Sequence, residues 1–416
     1  MSQEGDKLKS EPKKFFYGWI ITLCCTLITV INGGCFFTVS IFFKPVAFDF
    51  GWSRGEFAIN YTVMLIAYAP GAFFGGKLAE RVGPRVILLL GGLLIGLGFI
   101  GCSRADNLLF MILCYAVVGL GLGTTLVLTI ATVQRWFVKW RGFVVGAVSA
   151  GNGIGGMIFA PLANYLITAY DWRVAYLVIG LISGTVIIAS ASFLVAEPGL
   201  KNLRPFGRES QRSDVNSDFR TVSRSVLTSA QVFKMGTFWG VTTIYILTHL
   251  SSMFISAHLI PYVTDKGISA AVGAQAIGFI AGMIVVGRIV LSSVAGKIGW
   301  LKTLSIAFLI GSISIIWLMF VTKPLELYVF VVFYGFFWGS TIALLGGTVG
   351  YLFGMNVLSE LLGFLLGLGV MMGAVSPWLG GFIFDLTGSY FIAMVSAAVF
   401  FAGAGIIPLF LRPAVR

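Results

Sequence analysis

Charge is what this sequence has least of. Only 11% of its 416 residues are Asp, Glu, Lys or Arg, about half the share carried by soluble domains, so the chain cannot keep an ordinary water-facing surface. Histidine is rarer still, with His249 and His258 the two present. The five cysteines (Cys24, Cys25, Cys35, Cys102, Cys114) show neither metal nor redox spacing and read as small hydrophobes. No metal centre is predicted. There is no glycine-rich turn ending in Lys-Ser/Thr and no soluble stretch large enough to hold one, which argues against ATP-driven work. No cofactor is expected. All sixteen acids, from Glu4 to Asp385, fall in loops, tails or the ends of apolar runs. An enzyme acting inside a membrane needs a buried acid, a metal cluster or an activated nucleophile, and none is offered. The chain reads as a non-enzyme. Met1–Lys14 is polar, and the apolar run behind it is too long for a signal sequence and lacks a small-residue cleavage site, so no cleaved signal is expected.

What is abundant is apolar residue, 58% of the chain. It falls into twelve runs of roughly 20 residues, each enough to cross about 30 Å of hydrocarbon. The first six are Phe16–Ser40, Arg54–Leu78, Val86–Ser103, Leu108–Val133, Phe143–Thr168 and Val174–Ala196. The second six are Phe238–Val263, Ala270–Ala295, Thr303–Val321, Leu327–Leu352, Leu361–Phe384 and Phe391–Leu411. The fold class predicted is all-α integral membrane, with twelve transmembrane helices. The longest polar stretch, Glu197–Ser229, divides them six and six. This gives a bundle over 1–196, a cytoplasmic linker over 197–236 and a second bundle over 237–416, with the binding site expected between bundles near the midplane.

The formal charge of +12 invites a polyanion, but its distribution does not. With the N-terminus inside, 21 of the 28 Lys and Arg lie in cytoplasmic segments or the turns beside them, six on the opposite side, and Arg288 is the remaining one. That is the positive-inside bias of a multi-pass protein of the cell membrane, with both termini cytoplasmic and lipid as its surroundings. No nucleic-acid partner is needed.

Arg288 stands in the run Gly278–Lys297, seven residues before Ala295, roughly 10 Å deep at 1.5 Å per residue. A fixed positive charge there costs at least a few kcal/mol unless hydrated or paired. Snorkelling to the nearer surface is the ordinary remedy. Helical side chains lean toward the helix N-terminus, however, and here that direction is toward the bilayer centre. With no acid to meet it, the cation suits a substrate that brings its own carboxylate. A polar stripe in the seventh run, Thr242, Tyr245, His249, Ser252 and Ser256, follows helical spacing and predicts a face turned to water or protein. His249 can hydrogen-bond a carboxylate or hold a proton; a neutral ring bonded to a neighbouring helix is the alternative. His258, before Pro261, reads as structural or gating. Further candidate lining residues are Thr29, Asn32 and Phe36 in the first run, Tyr115 in the fourth, Ser149 and Asn152 in the fifth, and Tyr334 and Trp338 in the tenth. Each of these types also serves as a packing or interhelical hydrogen-bond residue. Glycines of the fifth and eleventh runs predict close helix contact.

The loops point to a family. Gly75–Arg85 reads GGKLAERVGPR and resembles the loop motif of the major facilitator superfamily, with Glu80 for the usual Asp; SSVAGKIGWLK (Ser292–Lys302) is a degraded second copy. The resemblance makes Glu80, Arg81 and Arg85 gating elements of a cytoplasmic latch. FFYGW (Phe15–Trp19), FGWSR (Phe50–Arg54), WFVKWRGFVVGAVSAGNGIGG (Trp136–Gly156), YDWRVAY (Tyr170–Tyr176) and AHLIPYVTDKGIS (Ala257–Ser269) look like the monocarboxylate porter family, related to bacterial oxalate/formate exchangers. The likeness implies transport of small monocarboxylates such as lactate or pyruvate, often with a proton, by a carrier for which a monomer suffices. It also places Arg288 where that family binds the carboxylate. The sequence departs from the animal members in two places. Their aspartate one turn before the arginine is Ile284 here, and ungapped alignment puts Phe37 where they carry a lysine in helix 1. The exchangers use a second basic residue in helix 11, and Leu361–Phe384 contains none. Proton symport through His249, coupled by the substrate's own charge, is therefore the expectation. Exchange of the oxalate/formate type, carriage of aromatic or drug-like acids, and a solute sensor that transports nothing are the alternatives.

Overall fold

The computed structural model describes residues 16–138, 140–201, 203–206, 228–354 and 357–412, the side chains of Arg141, Ile342 and Ser359 excepted. The tail Met1–Lys14, most of the linker and Lys139 of the helix 4–5 motif lie outside the described residues. Twelve helical spans are long and apolar enough to cross a membrane. They are α1 (Gly18–Phe50), α2 (Arg54–Val82), α3 (Pro84–Ser103), α4 (Leu108–Trp136), α5 (Arg141–Ala169) and α6 (Trp172–Ser192), then α7 (Gly236–Asp265), α8 (Ala270–Ile298) and α9 (Trp300–Phe320). The tenth and eleventh are each in two pieces, α10a (Pro324–Gly339) with α10b (Thr341–Phe353), and α11a (Leu358–Gly373) with α11b (Val375–Thr387); α12 (Phe391–Ile406) closes the series.

Local chemistry sets the ends. Ser53 and Glu56 form a reciprocal capping box at the start of α2, which satisfies two helix-end donors. Asn107, Asp171 and Ser269 cap α4, α6 and α8 through side-chain oxygens. Helix α1 runs ten residues beyond the expected end at Ser40, through Lys44 and Pro45. A charge and a proline mark a stop by pattern alone, but the ammonium of Lys44 finds Asp265 at 2.6 Å. The division of span eleven has an explicit cause. Pro377 has no N–H for the carbonyl of Gly373 four residues earlier, and the Ser376 hydroxyl donates to that carbonyl instead, at 2.8 Å. In span ten the Ser340 hydroxyl donates to Phe337 at the break.

Two six-helix bundles result. In the first, α2 packs on α4, α1 on α5, and α3 on α4 and α6. In the second, α8 packs on α10a, α9 on α12, and α7 on α11a and α12. The bundles meet along α5 with α8, α2 with α11b, and α1 with α7. Large apolar side chains such as Phe73, Ile313, Phe320 and Val399 point outward, where lipid accepts them. Two glycines show how close the seam is. A Cβ on Gly153 would lie 2.4 Å from the carbonyl oxygen of Ala281, and one on Gly381 2.6 Å from that of Arg54, so backbones touch across both pairs. Gly153→Val should therefore lower stability by about 1–3 kcal/mol through overpacking. Gly146→Ala, with nothing within 4 Å, should be neutral. Thermal unfolding of the two purified variants checks the contrast.

Candidate functional site

The two ends of the molecule differ. At the end away from the termini, here the distal end, Asp265 of α7 accepts two cations of the other bundle, Lys44 and Arg54, each at 2.6 Å. The Arg54 Nη1 contact lies close enough for an ion pair but off the line of its N–H bonds. Asp385 of α11b takes the backbone N–H groups of Arg54 and Gly55 at 2.9 and 2.7 Å, a carboxylate on a helix N-terminus. The guanidinium of Arg54 rests 3.6 Å from the Phe384 ring centroid. The distal end is thus sealed by charge between bundles. At the terminal end Glu80, Arg81 and Arg85 are exposed. Glu80 lines a small cleft within the first bundle with Gly76, Thr132 and Arg135. None of the three forms a cross-bundle ion pair among the described residues.

Arg288 lies further from the end of its helix than the sequence suggested. Helix α8 continues to Ile298, so the arginine sits ten residues from the helix end, about 15 Å at 1.5 Å per residue. Its neighbours fix its level. Gly287 is pressed against the Phe336 backbone, and Ile284 against Gly339, where an added Cβ would lie 2.2 Å from the Ile284 Cα. Arg288 therefore stands level with the break in span ten. Position 284, one turn before Arg288, carries an isoleucine whose backbone meets Gly339. Arg288 has no hydrogen-bond or ion-pair partner among the described residues, and its Nε is buried. Near that level Phe37 of α1 and Trp338 of α10a meet across the bundles, ring centroids 6.4 Å apart, and Trp338 leans on Tyr334. The Tyr334 hydroxyl is buried without a partner. Ser149, Asn152 and Trp338 are part-exposed, as is Arg288.

His249 turns back on its own helix. Its Nδ1 lies 2.8 Å from the Tyr245 carbonyl, so that nitrogen carries the hydrogen and Nε2 is left as a bare acceptor. The ring packs on Gly369 and Gly373 of α11a, and among the described residues its hydrogen-bond partner is on its own helix. Three other candidates are spoken for within the first bundle. Thr29 donates to the Val148 carbonyl at 2.6 Å. Asn32 donates to Thr125 at 2.8 Å. Tyr115 is fully buried with its hydroxyl 2.5 Å from that of Tyr176. The sequence reading missed Lys44, Arg54, Asp265 and Asp385. They appear in the sequence as ordinary span-end charges, and only the pairing of the two bundles shows that they oppose one another.

A model of the Major Facilitator Superfamily matches residues 25–359. The chain belongs to that superfamily. Among curated relatives, this member is similar to the oxalate:formate antiporter of Oxalobacter formigenes, 25% identical over 71% of this chain and 67% of that protein. It is also similar to monocarboxylate transporter 12 of Mus musculus, 26% identical over 91% of this chain and 82% of that one. Among solved structures it shares its fold with a D-xylose-proton symporter (TM-score 0.77, 12% identity, 95% and 98% of the two chains). A bacterial homologue of the human lysosomal transporter Spinster, in an inward-facing and unoccupied conformation, is also similar (TM-score 0.72, 14% identity, 96% and 95%).

The geometry separates packing from lining. Tyr115→Phe, which breaks the tyrosine pair, should cost about 1 kcal/mol of stability and leave substrate affinity unchanged. Thermal unfolding and equilibrium binding of the same preparation check both halves of that statement.

Proposed function

We propose that this superfamily member is a secondary transporter of small monocarboxylates of about lactate or pyruvate size, working by alternating access. The observation that carries the reading is the unpaired cation of Arg288. A guanidinium at that depth needs an anion, no acid of the chain supplies one among the described residues, and a planar carboxylate offers two oxygens to its fork. Trp338, Phe37 and Tyr334 supply an apolar wall with one spare hydroxyl, suited to a short organic tail. Similarity to monocarboxylate transporter 12 and to an oxalate:formate antiporter supports the substrate class. The lack of a second basic residue in Leu361–Phe384 favours the monocarboxylate over the dicarboxylate. The basic loops put the terminal end in the cytoplasm. The distal seal then faces outward, and the conformation is one closed to the outside.

A proton is proposed as co-substrate through His249. With Nδ1 donated to Tyr245, the nitrogen free to meet a ligand is a lone pair, and a lone pair repels a carboxylate. A proton on Nε2 turns that repulsion into a charge-assisted hydrogen bond, so proton and acid favour each other's binding.

Arg288→Gln should lose at least about 100-fold in acid affinity, the equivalent of two charge-assisted hydrogen bonds, with folding intact. Arg288→Lys should also bind poorly, since an ammonium cannot hold both oxygens. Titration of labelled lactate onto the purified variants decides this, and normal affinity in Arg288→Gln sinks the assignment. For coupling, His249→Gln keeps a hydrogen bond and cannot titrate. In proteoliposomes it should lose gradient-driven accumulation while retaining exchange at equal pH. Wild-type accumulation by the variant would make His249 a packing residue.

A further inference from the structure

The second histidine is held quite differently. His258 of α7 is fully buried. Its Nε2 lies 2.7 Å from the carbonyl oxygen of Pro377, and its Nδ1 3.0 Å from the Tyr390 hydroxyl. A carbonyl can only accept, so Nε2 carries the hydrogen and Nδ1 accepts from Tyr390. Both nitrogens are satisfied by the neutral ring, and a further proton on Nδ1 would oblige the Tyr390 hydroxyl to turn its hydrogen away and accept instead. The surroundings oppose a positive ring as well. Arg54 lies over the Tyr390 ring at 5.0 Å, and Lys44 is part of the same seal. The two acids in reach are engaged, Asp265 with Lys44 and Arg54, and Asp385 with the start of α2. His258 is flanked by Phe254 of its own helix, ring centroids 5.2 Å apart, and by Phe43 of the other bundle, 5.1 Å apart. Part of the cover over the histidine is therefore the cross-bundle contact. When α1 and α2 move away from α7 and α11b, Phe43, Arg54 and Lys44 leave together and water reaches the ring.

We propose that His258 is a proton-binding site that operates the distal seal: the ring is neutral while the bundles are closed there, and a proton taken up by the uncovered ring holds them open. The site is separate from the one at Arg288 and His249 and acts without substrate. It rests on alternating access, and on the orientation proposed above it would read the pH of the outer compartment. The sealing charges alone cannot do this, because aspartate and lysine do not titrate in the range of physiological pH, whereas a hydrated imidazole does. Linkage gives the size. If only the open form binds the proton and the hydrated ring titrates near 6.5, the open-to-closed ratio rises about tenfold between about pH 8 and about pH 5.5.

The test is a distance across the distal end of the full chain in lipid nanodiscs, without substrate. Spin labels at Tyr170 and Leu325, both exposed and on opposite bundles, are placed on a background with the five native cysteines replaced by alanine. The long-distance population should grow about tenfold relative to the short one as pH falls over that range. His258→Gln can still donate to Pro377 and accept from Tyr390, and should remove the pH response. Tyr390→Phe deprives the neutral ring of one partner and should move the response to higher pH. Asp265→Asn should favour the open form at every pH. A wild type insensitive to pH, a wild-type response in His258→Gln, or unchanged distances in Asp265→Asn would each overturn the proposal. Failure of the monocarboxylate reading shows differently, as absent lactate binding with the pH-dependent distances intact.

Discussion

A positive charge that the protein does not neutralise is the constraint around which the second bundle is built. Arg288 lies about 15 Å inside α8, at the level where α8 and α10a touch through Gly287 and Gly339. That contact leaves no room for a side chain at 339, where an added Cβ would lie 2.2 Å from the Ile284 Cα. The helices come together there because Gly287 and Gly339 are small, and position 284, which has room for a side chain, carries an apolar one. Among the described residues Arg288 is left without a counter-ion, a costly state for a cation inside an apolar span.

Several of the other polar groups follow the opposite rule. Thr22, Thr26, Thr242 and Thr248 return their hydroxyls to carbonyls of their own helices, which removes them from the interhelical account. Thr29, Asn32 and Tyr115 bond neighbouring helices within the first bundle. Charge joins the two bundles at the distal end, where water can share the cost of separating it. The seam is thus held by apolar packing and glycine contacts along its length, with ion pairs at its mouth.

The sequence carried the twelve spans because bilayer thickness imposes a length that twenty apolar residues announce, and it carried Arg288 because a charge in such a run is conspicuous. It did not carry the last ten residues of α1. Lys44 and Pro45 look like an ending until Asp265, 221 positions away, is seen to hold the lysine. Nor did it separate Thr29, Asn32 and Tyr115 from true lining residues. Helical periodicity shows that polar groups share a face, but a face toward another helix and a face toward a cavity have the same period. The breaks in spans ten and eleven were hidden for a related reason, since Ser340 and Ser376 mend the hydrogen-bond ladder with side chains that any span tolerates.

The two histidines, nine residues apart on one helix, show why residue type says little about role. His249 gives its Nδ1 hydrogen to Tyr245 and leaves Nε2 open, so its neutral form repels an anion and its charged form attracts one. His258 gives its Nε2 hydrogen to Pro377 and fills Nδ1 from Tyr390, so its neutral form is complete and its charged form would require the Tyr390 hydroxyl to turn. The partner of the first is its own helix, which moves with it. The cover of the second comes partly from the other bundle, which does not. A proton on His249 would therefore leave the helices where they are, whereas a proton on His258 would disturb a hydrogen-bonded ring that both bundles cover.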